Sequence, residues 1–421
     1  MSETKTLTPS GVLSGESPLV LTATLVPIAN LDRFQPAGFP EIGHVIYKAP
    51  RKDGTVENVC IVDSAASMAN HLESVCVRGP HDPDLVDDLT GMPYLRCVTG
   101  AIDGGGKLPD TARDVVVTSL TEGHRIASDY FLDGEFLTSD GLRKPRAMKL
   151  RAEIKTLKNG AVKETDAAKK AREKQLKDKT EEVKKIEDEA VFGSKLGREF
   201  GLVLADTKKA HPPTSKWWDV FETIFKYDPN ALVHGVLFPK WQIKISRVLT
   251  AHLEALGAGR VDRSGVKFDR IGKTTSGQPI FAVDDATATE IRATFILDVA
   301  LVRSFGRKDD NNQLGLSRGQ QEFLVALALW KIKQLLQSPF RFRSGCQLQL
   351  VSLKSGGSEI VWDVNIKTAI KNAAFAAPAV TDIYWPVDDL YRDAEEKAPA
   401  EVAGADEGED GAEGEEDDAS E

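Results

Sequence analysis

The segment Ser317–Leu336, SRGQQEFLVALALWKIKQLL, gives the clearest helix signal in the chain. Ser317 stands where an N-cap belongs, and Pro339 lies just beyond the last helical residue, so both ends of the helix are marked. A buried face is predicted from apolar residues at helical spacing, namely Leu324, Leu327, Ala328, Trp330 and Leu335. The class of fold follows from what surrounds this helix.

Strands flank the helix on both sides. CQLQLVSL and EIVWDVNI follow it, and they predict two strands around a turn at Ser355-Gly356-Gly357. TATEIRATFILDVALVRSF precedes it and predicts a buried strand or strand pair, and SPLVLTATLVPI (17–28) predicts another strand near the start. VIYKAPRKDGTVENVCIVDS predicts a hairpin that turns at Asp53-Gly54, followed by a helix capped by Ser64. This order predicts an α+β fold, compatible with an RRM/ferredoxin-like sheet with helices on one face.

The region 231–270 predicts a strand, a connector, a helix across ISRVLTAHLEA and then a loop rich in Gly and Arg. Lys244 and Arg247 are three residues apart and would share one face of that helix. Arg260, Arg263 and Lys267 lie among glycines in the loop. Small residues let a backbone approach a phosphate that arginine side chains can bind bidentately.

Net charge is unevenly distributed along the chain. The formal charge is −10, but residues 393–421 hold 14 acidic residues and one lysine, which leaves +3 on residues 1–392. That acidic segment is rich in Gly and Ala and has no aromatic residue, so it is predicted to be a disordered tail. The mildly basic body is compatible with a nucleic-acid partner.

Residues 143–179 form the most basic stretch, with 14 basic and 5 acidic residues. Its second half continues as ETDAAKKAREKQLKDKTEEVKKIEDEA, which forms helix readily and nearly lacks large apolar residues. The pattern predicts a solvated helix or an arm that projects from the body. An exposed charged helix with no further role is an equally open interpretation.

Motifs for catalysis and for metal binding fail on inspection. No apolar run approaches the roughly 20 residues of a membrane span, and no secretory signal is visible, so we expect a cytoplasmic protein that uses no membrane. The four cysteines form no CxxC pair, and the histidines are not grouped at metal-ligand spacing. GVKFDRIGKT (265–274) has Lys267 where a P-loop needs glycine. We therefore expect no enzyme activity, no metal and no cofactor.

Basic, amide and hydroxyl side chains in loops or at helix starts remain as candidates for binding RNA. A helix N-terminus offers unpaired N–H groups to a phosphate, and arginines that alternate with Phe340 and Phe342 combine phosphate pairing with base stacking. The candidate RNA-binding residues are Arg33, Gln35, Ser64, Ser67, Asn70, His124, Arg125, Lys244, Arg247, Arg260, Arg263, Lys267, Arg341 and Arg343. For each arginine, a plain surface salt bridge is an equally open interpretation.

Six segments, taken in order, resemble the Csb family of CRISPR-associated RAMP proteins. They are LDRFQPAGFPEIG (31–43), VDSAASMANHLE (62–73), SLTEGHRIASDYF (119–131), LVHGVLF (232–238), ISRVLTAHLEA (245–255) and FRSGCQL within Arg341–Gln349. The resemblance spans most of residues 20–385. The lysine-rich arm and the acidic tail lie outside it.

This resemblance implies an RRM-like palm with inserted finger and thumb elements. It implies a non-catalytic subunit that polymerises on CRISPR RNA as the repeated, Cas-seven-type backbone of a type I-G (formerly I-U) Cascade in antiviral defence. Base pairing reads the sequence in such effectors, while protein grips the backbone. The implied partners are CRISPR RNA, target DNA, further copies of the chain, a large subunit, a fused five/six-type RAMP subunit and a recruited helicase-nuclease.

The chain then divides into a flexible N-terminus (1–16), a first part of the palm with inserted loops (17–142), the charged arm (143–190), the rest of the palm with thumb-like insertions (191–392) and the tail (393–421). Two other functions stay open. A RAMP endoribonuclease that processes CRISPR RNA would use His124 with Lys244 or Tyr130 as acid and base. A general single-strand-binding scaffold would act through the arm and the tail.

Overall fold

The computed structural model describes residues 4–38, 44–103, 106–138, 141–159, 166–202, 212–262, 284–309, 312–337, 339–376 and 379–390. Within these ranges the chain is a mixed α/β structure built on one large sheet. The helices are α1 (Pro9–Ser14), α2 (Ala65–Ser74), α3 (Asp129–Leu132), α4 (Lys144–Asn159), α5 (Asp166–Ala190), α6 (Phe192–Glu199), α7 (Trp217–Tyr227), α8 (Pro229–His234), α9 (Val299–Ser304), α10 (Arg318–Leu336), α11 (Ile366–Ala373) and α12 (Val387–Leu390). No helix of the described ranges has both the length and the apolar composition needed to cross a membrane.

The strands are β1 (Thr4–Leu7), β2 (Leu19–Pro27), β3 (Ile46–Pro50), β4 (Val56–Asp63), β5 (Val77–Gly79), β6 (Asp82–Leu85), β7 (Tyr94–Thr99), β8 (Asp114–Thr118), β9 (Glu135–Phe136), β10 (Val236–Phe238), β11 (Ile243–Ile245), β12 (Leu249–Leu256), β13 (Gly259–Val261), β14 (Asp285–Thr287), β15 (Glu290–Leu297), β16 (Gly306–Asp309), β17 (Asn312–Gly315), β18 (Phe340–Arg343), β19 (Cys346–Ser355), β20 (Ser358–Trp362) and β21 (Val380–Tyr384). The large sheet runs in the order β1-β20-β19-β2-β15-β12-β4-β3, and β18 pairs with β19. Within its four central strands β19, β2, β15 and β12, each strand is antiparallel to its neighbours. A second sheet runs β8-β7-β21-β9.

One face of the large sheet carries the core. Along β2 the residues alternate, with Leu21, Ala23 and Leu25 buried and with Thr22 and Thr24 partly exposed on the other face. The same alternation runs along β15 and β12, because successive side chains of a strand point to opposite faces. Helix α2 packs on β12, and α10 packs against α2 and α8 on the buried side of the molecule.

Several elements predicted from the sequence are present. Ser64 caps α2 and Ser317 caps α10, each accepting a backbone N–H with its side-chain oxygen. The β3–β4 hairpin turns at Gly54, which has a φ of 81°, and β19 and β20 are joined through Gly356 and Gly357, which also have positive φ. The segment predicted to be helical in the basic stretch is α5, which packs against α4.

The helix predicted across ISRVLTAHLEA is wrong. That segment enters β12, which lies between β4 and β15 and pairs with both. Lys244 sits in the short strand β11 and Arg247 follows it, so the two do not share a helical face. Pairing and burial between the two neighbouring strands stabilise the strand conformation of this segment more than the helix preference of Leu and Ala stabilises a helix.

Two further predictions need correction. TATEIRATFILDVALVRSF forms one strand, β15, and then the short helix α9, rather than a strand or strand pair throughout. Helix α10 has no single buried face, because every residue from Phe323 to Ile332 is buried. Arg263, Lys267 and the acidic tail lie outside the described residues.

Candidate nucleic-acid interface

The loop 31–38 is fixed to the body at two neighbouring residues. Phe34, which is buried, exchanges two backbone hydrogen bonds with Ala286 of β14 (2.9 and 2.8 Å). Gln35 donates its backbone N–H to the carbonyl of Gly345 (2.8 Å). Gly345 has a φ of 81°, and a Cβ there would meet the Gln35 side chain at 3.2 Å, so glycine suits this close approach. The loop is thereby held between β14 and the turn that joins β18 to β19.

Arg343 closes this arrangement from the β18 side. Its Nη1 donates to the carbonyl of Val62 (2.7 Å) and to that of Gln35 (3.5 Å), and its Nη2 donates to Oδ1 of Asp63 (2.8 Å). One guanidinium therefore links the loop, the end of β4 and the start of α2. Such charge-assisted, multiply bonded arginines hold backbone segments in fixed positions.

Asp63 is the centre of a hydrogen-bond network at the start of α2. Its carboxylate accepts from the backbone N–H of Ser64 (3.0 Å) and from Oγ of Ser67 (2.9 Å), and it lies 3.2 Å from Nε2 of His71. Burial opposes ionisation of this carboxylate, but the contacts with His71, Arg343 and Ser67 outweigh burial and hold its pKa below the usual range. Asp63 is therefore anionic at neutral pH.

Strands β13 and β14 extend the same surface on the other side of the loop. Arg260 pairs with Ala286 in this ladder, and its Nε donates to Asp284 (2.7 Å) and lies 3.0 Å from Asp262. Arg33 lies 3.3 Å from the buried carboxylate of Asp285, and 64% of its side chain is exposed. These arginines project to solvent from a backbone that is itself anchored.

The structure links eight of the candidate residues into one continuous surface, which we call the arginine edge. Its sequence of contacts runs from Arg260 through β14 to the loop, then to the Gly345 turn, Arg343 and the start of α2. Arg247 joins it by donating to the carbonyl of Ala65 (3.3 Å). The members of the arginine edge are Arg33, Gln35, Ser64, Ser67, Arg247, Arg260, Arg341 and Arg343.

Arg341 differs from the other exposed arginines of the edge. It is exposed and donates to Oγ of Ser344, and it contacts no carboxylate in the part of the chain that the structure describes. Arg33 is paired with Asp285 and Arg260 with Asp284, and each carboxylate partly cancels the positive charge of its arginine. The exposed guanidinium groups of the arginine edge can pair with phosphates.

Arg125 has a structural role that the sequence prediction did not foresee. It is buried, its φ is 55°, and its guanidinium donates to both carboxylate oxygens of Glu73 (2.7 and 2.6 Å) and to the carbonyl of Gly235 (3.1 Å). In this arrangement no nucleic acid can reach it. Asn230 donates to Glu73 as well (2.6 Å), and Lys331 of α10 donates to Asn230 and lies 2.9 Å from His234.

This buried polar cluster holds α2, α8 and α10 together, and the sequence offered only one sign of it, a lysine inside the apolar run of α10. Burial, together with Lys331, keeps the pKa of His234 well below its usual value, so His234 is neutral. Burial and the neighbouring Glu73 raise the pKa of Asp228 to about 7. Asp228 accepts from the backbone of Ile126 (3.2 Å) and caps α8.

The described contacts do not link Asn70 or His124 to the arginine edge. Asn70 is exposed and lines a cavity of about 510 Å³ together with Glu73, Arg78 and Gly123. His124 is 80% exposed, and its Nδ1 lies 3.0 Å from Glu122. Its described contacts include neither Lys244 nor Tyr130. Within the described ranges, no group of three or more His, Cys, Asp or Glu residues is placed to hold a metal ion.

Comparison with known proteins gives one match that is informative. Residues 19–260 match the family model described as CRISPR-associated protein GSU0053. A crystal structure of Thermofilum pendens Csc2 aligns with 87% of this chain and 74% of that chain, at 11% identity and a TM-score of 0.26, which is too low to establish a common fold. No curated protein matches the sequence. Because the family model covers more than half of the chain, the chain belongs to the family of CRISPR-associated protein GSU0053.

Proposed function

We propose that this CRISPR-associated chain is a backbone subunit that binds CRISPR RNA in a Cascade effector of the Csb type, type I-G. Several copies bind side by side along one guide RNA and hold it for pairing with target DNA. The observation that carries the proposal is the arginine edge, in which a loop, two strand pairs and a helix start are fastened into one surface that presents Arg33, Arg260 and Arg341 to solvent. Its partners are the guide RNA, further copies of the chain and the other Cascade subunits.

The order of the central strands supports an RRM-like palm. In chain order these strands are β2, β12, β15 and β19, and in space they run β19-β2-β15-β12, so the fourth strand lies beside the first and the third beside the second. Helix α2 precedes β12 and α10 precedes β19, as in a split βαβ unit. The β13–β14 pair and the α4–α5 hairpin are inserted between these elements and are the candidates for thumb and finger.

We further propose that the chain binds RNA without cutting it. Support comes from His124, which is exposed and held by Glu122, and from the buried cluster around Lys331, which has no access to a substrate. The alternative of an endoribonuclease needs an acid–base pair at one accessible point. No described contact brings His124 together with Lys244 or Tyr130.

The test measures binding of fluorescent single-stranded RNA and assembly on a long RNA by the purified chain. Affinity should fall steeply with salt, because each neutralised phosphate releases counterions, and it should change little between RNA sequences. Replacing Arg33, Arg260 and Arg341 together by alanine should weaken binding by about tenfold or more and should reduce the salt slope by roughly 0.7 for each lost phosphate contact. The RNA should remain intact with and without divalent metal.

The matched control replaces three exposed lysines outside the arginine edge, Lys5, Lys52 and Lys371, by alanine. Net charge changes equally in both variants. The control should still bind RNA nearly as well as the original chain, because its three lysines lie outside the arginine edge. Equal loss in both variants would show that only net charge matters and would contradict a specific RNA-binding surface. Cleavage of the RNA would instead support the endoribonuclease.

A further inference from the structure

In the α4–α5 hairpin, the described ion pairs lie towards the base, and lysines with no described ion pair lie towards the tip. Towards its base, the two helices are joined by Arg143–Glu189 (3.0 Å), Arg151–Glu187 (2.8 Å) and Lys179–Glu153. Towards its tip, six exposed lysines make no ion pair with any residue that the structure describes; they are Lys155, Lys158, Lys169, Lys170, Lys174 and Lys177. The described residues 155–159 and 166–178 hold seven basic and three acidic residues, so the tip carries an excess of positive charge.

The spacing of these lysines arranges them as stripes. Lys155 and Lys158 lie four and seven residues after Arg151, and therefore on the same side of α4. On α5, Lys170, Lys174 and Lys177 repeat this spacing. A helix rises about 1.5 Å per residue, so the α5 stripe from Lys170 to Lys177 is about 10 Å long and the α4 pair Lys155 and Lys158 spans about 5 Å. The helices pack through Ala147, Val183 and Ile186, and the five lysines of the two stripes are exposed.

The chain leaves the folded body beside the base of this hairpin. Tyr384, at the end of β21, pairs with Glu135 of β9. The backbone of Glu135 also bridges Val191, which directly follows α5, and its carboxylate accepts the N–H of Arg143, which directly precedes α4. The described residues end at Leu390, and the strongly acidic residues 393–421 follow.

We propose that the acidic segment 393–421 docks on the lysines at the tip of the α4–α5 hairpin. The charges are complementary, because the segment holds 14 acidic residues and one lysine. The reach is sufficient, because 31 residues beyond Leu390 span at most about 100 Å, whereas a helix of the length of α5 is about 37 Å long. This proposal does not depend on RNA binding by the arginine edge.

In this arrangement the acidic segment 393–421 occupies the hairpin lysines of its own chain. A tethered segment acts at an effective concentration in the millimolar range, so a contact that is weak between separate molecules becomes populated within one chain. Other polyanions then have to displace the segment before they reach these lysines. The contact is electrostatic and exposed, so it weakens as salt shortens the screening length from about 10 Å at 0.1 M to about 3 Å at 1 M.

The test uses energy transfer between two dyes on the full chain. The four native cysteines are buried, so Ala152→Cys on α4 and Ser420→Cys in the acidic segment provide selective attachment points. Transfer efficiency should be high at low salt and should fall by about twofold or more at 1 M salt. The triple change Lys155→Glu, Lys158→Glu and Lys177→Glu should give the low efficiency already at low salt.

The control carries Lys5→Glu, Lys52→Glu and Lys371→Glu, which change the net charge equally at exposed lysines away from the hairpin. It should retain the efficiency and the salt response of the original chain, and circular dichroism should show the same helix content in every variant. Efficiency that is indifferent to salt and to the hairpin substitutions would overturn the proposal. A hairpin variant that loses nucleic-acid binding with unchanged efficiency would also overturn it, because the lysines would then serve a nucleic acid instead.

Discussion

The two ends of α2 carry the same chemistry in different surroundings. Before its first turn, Arg343 binds Asp63, and 24% of the Arg343 side chain is exposed. In its last turn, Arg125 binds Glu73, and both side chains are less than a tenth exposed. The outer pair fixes a surface on which arginines face solvent, while the inner pair ties together helices of the core. An arginine in a sequence pattern therefore indicates a binding role only when its surroundings leave it accessible.

The largest expected effect in this comparison comes from breaking the inner pair. Arg125→Ala should lower the free energy of unfolding by about 3–5 kcal/mol, because it leaves the carboxylate of Glu73 buried without its main partner. Urea unfolding followed by circular dichroism measures this. The matched control is Arg78→Ala, which removes exposed pairs with Asp82 and Asp87 and should cost less than about 1 kcal/mol. Equal losses in the two variants would contradict a structural role for Arg125.

A smaller effect is expected at the outer pair. Arg343→Ala should cost about 1–2 kcal/mol, since Asp63 keeps its bonds to Ser64, Ser67 and His71. It should also loosen the loop 31–38, whose Gln35 carbonyl Arg343 contacts. Urea unfolding measures the cost, and faster hydrogen exchange in residues 31–38 measures the loosening. Unchanged exchange in the loop would show that the bonds to Ala286 and Gly345 suffice to hold it.

The smallest effect is the pH dependence of the outer pair. The pKa of Asp63 is lowered from its usual 3.8 in the folded chain, so its stabilising contribution is present above that value and is lost as pH falls through the folded pKa. The cost of Arg343→Ala should therefore shrink between pH 7 and pH 3, as measured by urea unfolding at each pH. A cost that stays constant with pH would show that the pair contributes through packing rather than through charge.

The sequence was sufficient for elements whose signals are local. The caps at Ser64 and Ser317, the turn at Gly54 and the strand β2 depend on neighbouring residues, and all of them are present. The secondary-structure prediction was wrong at β12. The composition of LTAHLEAL favours a helix, but the segment is a strand whose alternate residues are buried. That alternation was a usable signal for a strand.

The candidate site was predictable only as a set of residue types. The arginine edge joins residues near position 35, position 63, position 285 and position 343, and such contacts leave no trace in local spacing. For the same reason the sequence could not separate the accessible Arg341 from the buried Arg125. Three of the segments that resemble CRISPR-associated RAMP proteins, 31–43, 62–73 and 341–349, contribute residues to this surface, and the family match confirms the CRISPR association.

The central position of β2 has a consequence for how the chain is made. Its two neighbours in the sheet are β15 and β19, which lie about 270 and 330 residues later in the sequence. At typical synthesis rates β2 waits on the order of tens of seconds for its first partner. LVLTATLVP has no charged residue and a high strand preference, so until then it is a segment prone to aggregation. Chains that end before residue 290 should accumulate as insoluble protein during expression, and slow translation should aggravate the loss.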